Sequence, residues 1–320
     1  MDPLALSDVL PLASLFAGER PLLVLHAGEN DLAHLKRRYR FTFGAVFDTS
    51  TAARFLGGRS LGLDVLIREH LGLELPPSRQ KDDWSVRPLT PAQEHYAAAD
   101  VLHLIALKDR LCSALTRIGR LAWVEEECAA LAAEPIVERD VDPDAYLGLK
   151  GARELSPAGL TILRELFELR ERFALAADRP PFKILSESTL VALARTAPGD
   201  AETLATVSGC SPRVIGRWGG AVLDTIARAR TAPPATPSTL RAHRPSLSGA
   251  ARRRIESLRR WRAHAAPRFG LDPGVLLPNR LIRAIAEAGP RDLDQLAGVH
   301  GVRRWRVDVL GPELLQTVVG

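Results

Sequence analysis

PLLVLHAGENDLAHL, residues 21–35, reads as a short apolar strand that turns into a helix. The apolar run covers 21–26, and helical spacing takes over from about 29 to 38. AVFDTSTAARFL (45–56) repeats the pattern, with a strand over 45–48 and a helix over about 49–56. Strand–helix alternation predicts an α/β block with a mostly parallel sheet. Further helices are expected over about 60–71 and 91–116, the latter as one helix or as two meeting near Ala99. Only two strands are evident, and two strands alone do not make a stable sheet. The sheet is therefore expected to be incomplete as it stands, or to be finished by another chain.

Downstream the pattern is helical and duplicated. At an offset of 92 residues, Leu185 aligns with Leu277, Leu190 with Ile282, Leu193 with Ile285, Leu204 with Leu296, Gly209 with Gly301, and Leu223 with Leu315. Each copy is read as a small bundle of short helices around a turn, GCS (209–211) in one and GVR (301–303) in the other. TAPPATPSTLRAHRPSLSG (231–249) lacks periodicity and is rich in proline, so it reads as an exposed linker. A second seam lies near 134–146. The expected organisation is 1–133, a first copy over 147–230, a linker over 231–246, and a second copy over 247–320. In fold class this is α/β plus all-α.

The 320 residues are 46% hydrophobic and 25% charged, which excludes a wholly disordered chain. No apolar run is long enough to span a bilayer, and the N-terminus lacks the basic region of a signal peptide. Cys112, Cys128 and Cys210 are too few and too widely spaced for a disulfide framework or a zinc site. A cytoplasmic protein is expected. Residues 1–140 carry 16 Lys+Arg against 20 Asp+Glu, and residues 141–320 carry 27 against 18. A basic half beside an acidic one points to a polyanionic partner, and arginine supplies nearly all of the positive charge.

Several residues are candidates for chemistry. In PAQEHYAAADVLHL (91–104), Tyr96 and Asp100 share a helix face at i, i+4. A carboxylate there can ligate a divalent ion while the phenol orients a water, although a half-buried Tyr and a solvated Asp would look the same. Asp31 follows a strand, where α/β proteins place ligands, but it also suits the first turn of a helix. Asp48 or Thr49 reads as the cap of the next helix, with metal-site support as the lesser reading. In RQKDDWSVRPLT (79–90), Arg79, Trp84 and Arg87 combine cations with an aromatic, as in a nucleic-acid channel. Equally, Trp84 could anchor a loop in which Arg87 pairs with Asp83. ARRRIESLRRWRAH (251–264) sets Arg252, Arg253 and Arg259 on a basic helix face, either merely solvated or in contact with phosphate. His26 and His95 lie near the candidate site and read as structural. No phosphate-cradling glycine loop, nucleophile elbow or zinc pattern is present.

Taken together, the segments resemble the ribonuclease D family of the DEDD 3′–5′ exonucleases. HAGENDLAHL resembles its second exonuclease motif and QEHYAAADVLHL the third motif of the tyrosine subtype, while the C-terminal copies look like HRDC domains. The resemblance implies a partial RNase H-like exonuclease domain followed by two HRDC domains. It further implies a two-ion site using Mg²⁺ or Mn²⁺, with Asp31 and Asp100 as metal ligands and Tyr96 orienting the attacking water. The implied partner is RNA with a single-stranded 3′ end, trimmed to nucleoside monophosphates in the manner of tRNA-precursor processing, with no membrane involved.

The family also uses a D-x-E motif on its first strand. Asp2, Asp8 and Glu19 precede HAGENDL, but none lies in a D-x-E on an apolar strand. We therefore expect an N-terminally incomplete member with an incomplete ion site and impaired activity. The alternatives are a non-catalytic nucleic-acid-binding scaffold and a DNA-directed exonuclease or repair accessory.

Overall fold

The two apolar segments pair as the alternation predicts. Leu23–Leu25 (β1) and Val46–Asp48 (β2) run parallel in the register Leu23↔Val46, Val24↔Phe47 and Leu25↔Asp48. The structure, a computed structural model, describes residues 2, 4–6, 8–135, 144–233 and 247–319. The three sequence blocks form two compact units, Met1–Glu138 with Ser246–Gly320, and Arg139–Pro245. Of the expected linker and the seam near 134–146, residues 234–246 and 136–143 lie outside the described residues.

In the first unit, α1 (Ala13–Ala17) precedes β1, and α2 (Glu29–Tyr39) supplies the crossover that a parallel pair requires. Its first turn holds Glu29 and Asp31 and its last turn Lys36, Arg37 and Arg38, charges ordered to suit the helix dipole. After β2 come α3 (Thr49–Phe55), α4 (Leu63–Leu71), α5 (Pro91–Leu102), α6 (Leu104–Arg117) and α7 (Leu121–Ala133). The helical stretch expected over 91–116 is thus two helices, and they part at His103 rather than near Ala99. β2 is buried throughout and β1 only half-buried.

The duplication holds at the level of elements. In the second unit, α8 (Pro157–Ala176), α9 (Glu187–Thr196), α10 (Ala201–Ala205) and α11 (Pro212–Thr231) enclose a core of Leu163, Leu166, Leu190, Leu193, Leu204 and Ile226. The second copy, in the first unit, has α12 (Gly249–Phe269), the short α13 (Pro273–Leu276), α14 (Asn279–Ala288), α15 (Leu293–Ala297) and α16 (Arg304–Val319). α12, α14, α15 and α16 each begin 92 residues after their counterparts in the first copy. Gly209 and Gly301 occupy the same turn with φ of 90° and 86°, a region that favours a residue without Cβ.

The second copy is no separate body. Leu258, Leu281, Ile285, Leu296 and Leu310 share one core with Phe47, Phe55, Leu107, Leu111 and Val124 of the N-terminal block. α7 makes the junction. Trp123 stacks on Trp305 at 4.7 Å, and Phe55 meets the Trp305 ring edge-on at 5.5 Å. Glu126 accepts the Arg304 and Trp305 backbone N–H groups at the start of α16. Glu127 accepts from Arg306, which is 3% exposed and also donates to the Leu276 and Val275 carbonyls. At the other end of α7, the buried ammonium of Lys36 donates to the carbonyls of Leu131, Ala132 and Glu134, capping the helix from α2.

A buried guanidinium left without its carboxylate costs more than the pair contributes. Glu127→Ala should therefore destabilise the chain by about 3–5 kcal/mol in urea titration. The double variant Glu127→Met/Arg306→Met should regain only part of that loss, because Arg306 also serves the Leu276 and Val275 carbonyls and Glu127 also accepts from Trp305. Lys36→Met strands three helix-end carbonyls and should cost about 2 kcal/mol in the same titration.

Candidate active site at the carboxyl edge of the strands

Both strands end in residues that organise the helices beyond them. Asp48, 2% exposed, accepts the Thr51 N–H at 2.7 Å through Oδ1 and the Gly28 N–H at 2.8 Å through Oδ2. One carboxylate thereby caps α3 and holds the start of α2, and the capping reading of Asp48 holds. Its own backbone N–H donates to Cys128 Sγ on α7 at 3.3 Å. Burial pushes the Cys128 thiol up to about 12. Thr49 Oγ1 donates to the Leu25 carbonyl at 3.0 Å and lies 2.9 Å from His26 Nδ1. Burial lowers the His26 pKa, opposed by Asp48, the Leu61 carbonyl, Asp100 and Asp64. His26 is thus a ring held by protein groups in the midst of the site's acids, while His95 is exposed on α5.

α5 is positioned by its first turn. Thr90 and Gln93 form a capping box, and Pro91 occupies the first helical position, where a missing N–H costs nothing. The buried face carries Gln93, Tyr96 and Ala99, with Asp100 half-buried beside them. Burial raises the Asp100 pKa, and the neighbouring Tyr96 hydroxyl and His26 pull it partly back. The Trp84 ring lies 6.1 Å from that of Tyr96, and its Nε1 donates to the Arg79 carbonyl at 3.1 Å.

The remaining predicted residues divide. Asp31 is exposed on the first turn of α2, and no hydrogen bond or ion pair joins it to Asp100. Among the described residues, no three His, Cys, Asp or Glu side chains converge to hold a metal ion. These donors alone do not fit a two-ion cage. Arg87 makes a two-point pair with Asp2 at 2.6 and 2.8 Å, not with Asp83, whose carboxylate accepts from Ser85. That contact holds the Asp2 carboxyl down at about 2. Arg79 pairs with Asp82 at 3.0 Å. Both guanidiniums are therefore engaged within the protein, and Trp84 anchors the loop as a wall beside Tyr96. Arg252, Arg253 and Arg259 are exposed on α12, joined there by exposed Arg260, and none of the four has a carboxylate partner among the described residues.

The roles of Thr49, His26 and Cys128 were not legible as a network, because their partners lie 20 to 80 positions away in sequence. The strand-end position of His26 and Asp48 is the one local signal that pointed there.

Comparisons with known proteins agree along the whole chain. The 3′-5′ exonuclease family model matches residues 1–116, and the HRDC domain model matches 159–226 and 251–318. A ribonuclease D from Pseudomonas paraeruginosa is 33% identical, the alignment covering 99% of this chain and 84% of that protein. One from Granulibacter bethesdensis is 31% identical over 96% of this chain and 76% of that protein. One from Acidiphilium cryptum reaches 36% identity over 71% of this chain and 58% of that protein. The fold is that of Escherichia coli RNase D, a solved structure with 24% identity and a TM-score of 0.68 over 99% of this chain and 84% of that one.

The Asp100 environment makes a pH prediction. A carboxyl raised on folding stabilises the fold below its unfolded pKa, and that contribution is lost as pH rises through the folded value. Asp100→Asn should remove that slope from a stability–pH curve. Tyr96→Phe, which deletes the donor, should move the Asp100 carboxyl resonance in NMR titration to a still higher midpoint. A midpoint that stays in place would show that the hydroxyl does not hold the carboxylate.

Proposed function

This chain belongs to the ribonuclease D family of 3′–5′ exoribonucleases, and from that we propose that it trims the 3′ ends of structured RNAs of the tRNA-precursor type. The observation that supports this reading is the Tyr96–Asp100 pair, set on one helix face with Asp100 close to His26 at the end of β1. In the proposed reaction a water attacks the terminal phosphodiester. The new P–O bond forms as the bond to the 3′ oxygen of the penultimate ribose breaks, releasing a nucleoside 5′-monophosphate. Tyr96 orients the water, with Asp100 one turn away on the same helix face. Asp31 and Asp100 provide negative charge at the strand edge. Trp84 walls the site, Arg79 and Arg87 hold its loop in place, and Arg252, Arg253 and Arg259 contact phosphate.

DEDD exonucleases generally use divalent metal ions, Mg²⁺ or Mn²⁺ in our proposal. The described donors do not close a two-ion cage, so we propose that hydrolysis by these 320 residues is impaired. Missing electrostatic stabilisation of this kind costs several kcal/mol of barrier, roughly two or more orders of magnitude in rate. The same observation favours a second reading, a nucleic-acid-binding scaffold that holds RNA without cutting it. Among the described residues no helix is long and apolar enough to cross a membrane, and we place the activity in the cytoplasm.

A 5′-labelled RNA incubated with Mg²⁺ or Mn²⁺ tests this. The expected product is a slow ladder shortening from the 3′ end, absent in Asp100→Asn and slowed about a hundredfold in Tyr96→Phe. Internal cuts, or equal action on a 3′-terminal deoxyribose, would overturn the exoribonuclease reading. No ladder, with binding that weakens steeply with salt, would establish the scaffold.

A further inference from the structure

The two helical copies share a fold and differ in how they close the cleft between their first and last long helices. In the second copy, Trp261 on α12 donates through Nε1 to the Glu313 carboxylate on α16 at 2.8 Å. The Trp261 ring packs against the core, and Arg268 also donates to Glu313, at 2.6 and 2.9 Å. An indole drawn out of water needs an acceptor for its N–H, and Glu313 supplies it. That cleft is filled by the chain itself.

The equivalent positions in the first copy, 92 residues earlier, are Leu169 on α8 and Ala221 on α11. Neither side chain is long enough to bridge the helices. A cleft of about 510 Å³ stands open there, lined by Leu169, Ala221, Asp224, Thr225, Ala227 and Arg228. Leu169 and Thr225 are buried, at 5% and 2% exposed, while Asp224 and Arg228 are exposed at the mouth. Arg228 donates to Thr225 Oγ1 at 3.1 Å and to the Asp224 carbonyl at 3.4 Å, and it has no carboxylate partner among the described residues. The Asp224 carboxylate accepts no hydrogen bond from the described residues. An apolar floor with a few unspent polar groups at its rim is the usual make-up of a ligand pocket.

We infer that the α8–α11 cleft of the first copy is a docking pocket for a tryptophan side chain of a partner protein, with Asp224 accepting the indole N–H and Arg228 pairing an acidic residue beside that tryptophan. The sister copy shows the shape of the occupant, an indole lying between the same two helices with its N–H on a carboxylate. Tryptophan is also among the residues that carry most of the binding energy at protein interfaces. The carboxylate at the mouth disfavours a phosphodiester backbone, which separates this pocket from the arginine face of α12. The inference does not depend on the nuclease reading.

The test is fluorescence anisotropy of the full chain with a fluorescein-labelled pentapeptide that has one tryptophan between two glutamates. The wild type should bind one peptide per chain, and the same peptide with alanine for tryptophan should bind at least about tenfold more weakly. Leu169→Trp/Ala221→Glu copies the plug of the second copy and should abolish binding while keeping the thermal unfolding profile of the wild type. Asp224→Ala, an exposed change, should weaken binding about tenfold through loss of the indole acceptor. Arg228→Ala should weaken it about threefold and remove most of its salt dependence. A wild type that does not bind the peptide, or binds the alanine peptide equally well, overturns the pocket. So does wild-type affinity in the folded plugged variant. If that variant does not fold, wild-type affinity in both Asp224→Ala and Arg228→Ala overturns it instead. Displacement of the peptide by a 12-nucleotide single-stranded RNA, lost in the plugged variant, would assign the cleft to a base and overturn the protein partner.

Discussion

Asp48 accepts hydrogen bonds from the starts of two helices at once, and the geometry of the candidate site follows from that one buried carboxylate. Its two acceptor oxygens fix where α2 leaves β1 and where α3 leaves β2, so Asp31 and Thr49 are placed by the same group. Its backbone N–H reaches Cys128 on α7, and α7 is in turn capped by Lys36 from α2. The loop is closed, from helix α2 through Asp48 to α7 and back to α2. A polar group buried this deeply is tolerated because hydrogen bonds from backbone donors replace its water.

α7 also carries the consequence outward. Its Glu126 and Glu127 face the start of α16, and Trp123 stacks on Trp305, so the second helical copy is braced against the helix that supports the site. The equivalent positions in the first copy are Ser211, Pro212, Arg213 and Val214, where the second has Arg303, Arg304, Trp305 and Arg306. Four substitutions on one backbone turn a helix start into a docking surface. The duplication thus kept the shared bundle core and changed what each copy presents at its ends.

Electrostatics divide along the same line. In the N-terminal block Arg79 and Arg87 of the 79–90 loop are spent on Asp82 and Asp2, which leaves the aromatic Trp84 to shape the site. On α12 four exposed arginines, Arg252, Arg253, Arg259 and Arg260, stand at i, i+1, i+7 and i+8 with no carboxylate partner among the described residues, an arrangement that attracts polyanions at the cost of mutual repulsion.

The strand–helix alternation, the Tyr96–Asp100 face, the capping role of Asp48 and the 92-residue repeat were all legible in the sequence. Each is set by local spacing and by backbone preferences within a few residues. What only the tertiary structure decided are the pairings between distant segments. Arg87 took Asp2 rather than Asp83, His26 joined Thr49 across 23 positions, and the second copy entered the core of the N-terminal block. Local sequence states which groups need a partner. Which partner they find depends on the packing of apolar faces, and that is settled only when the whole chain has collapsed around them.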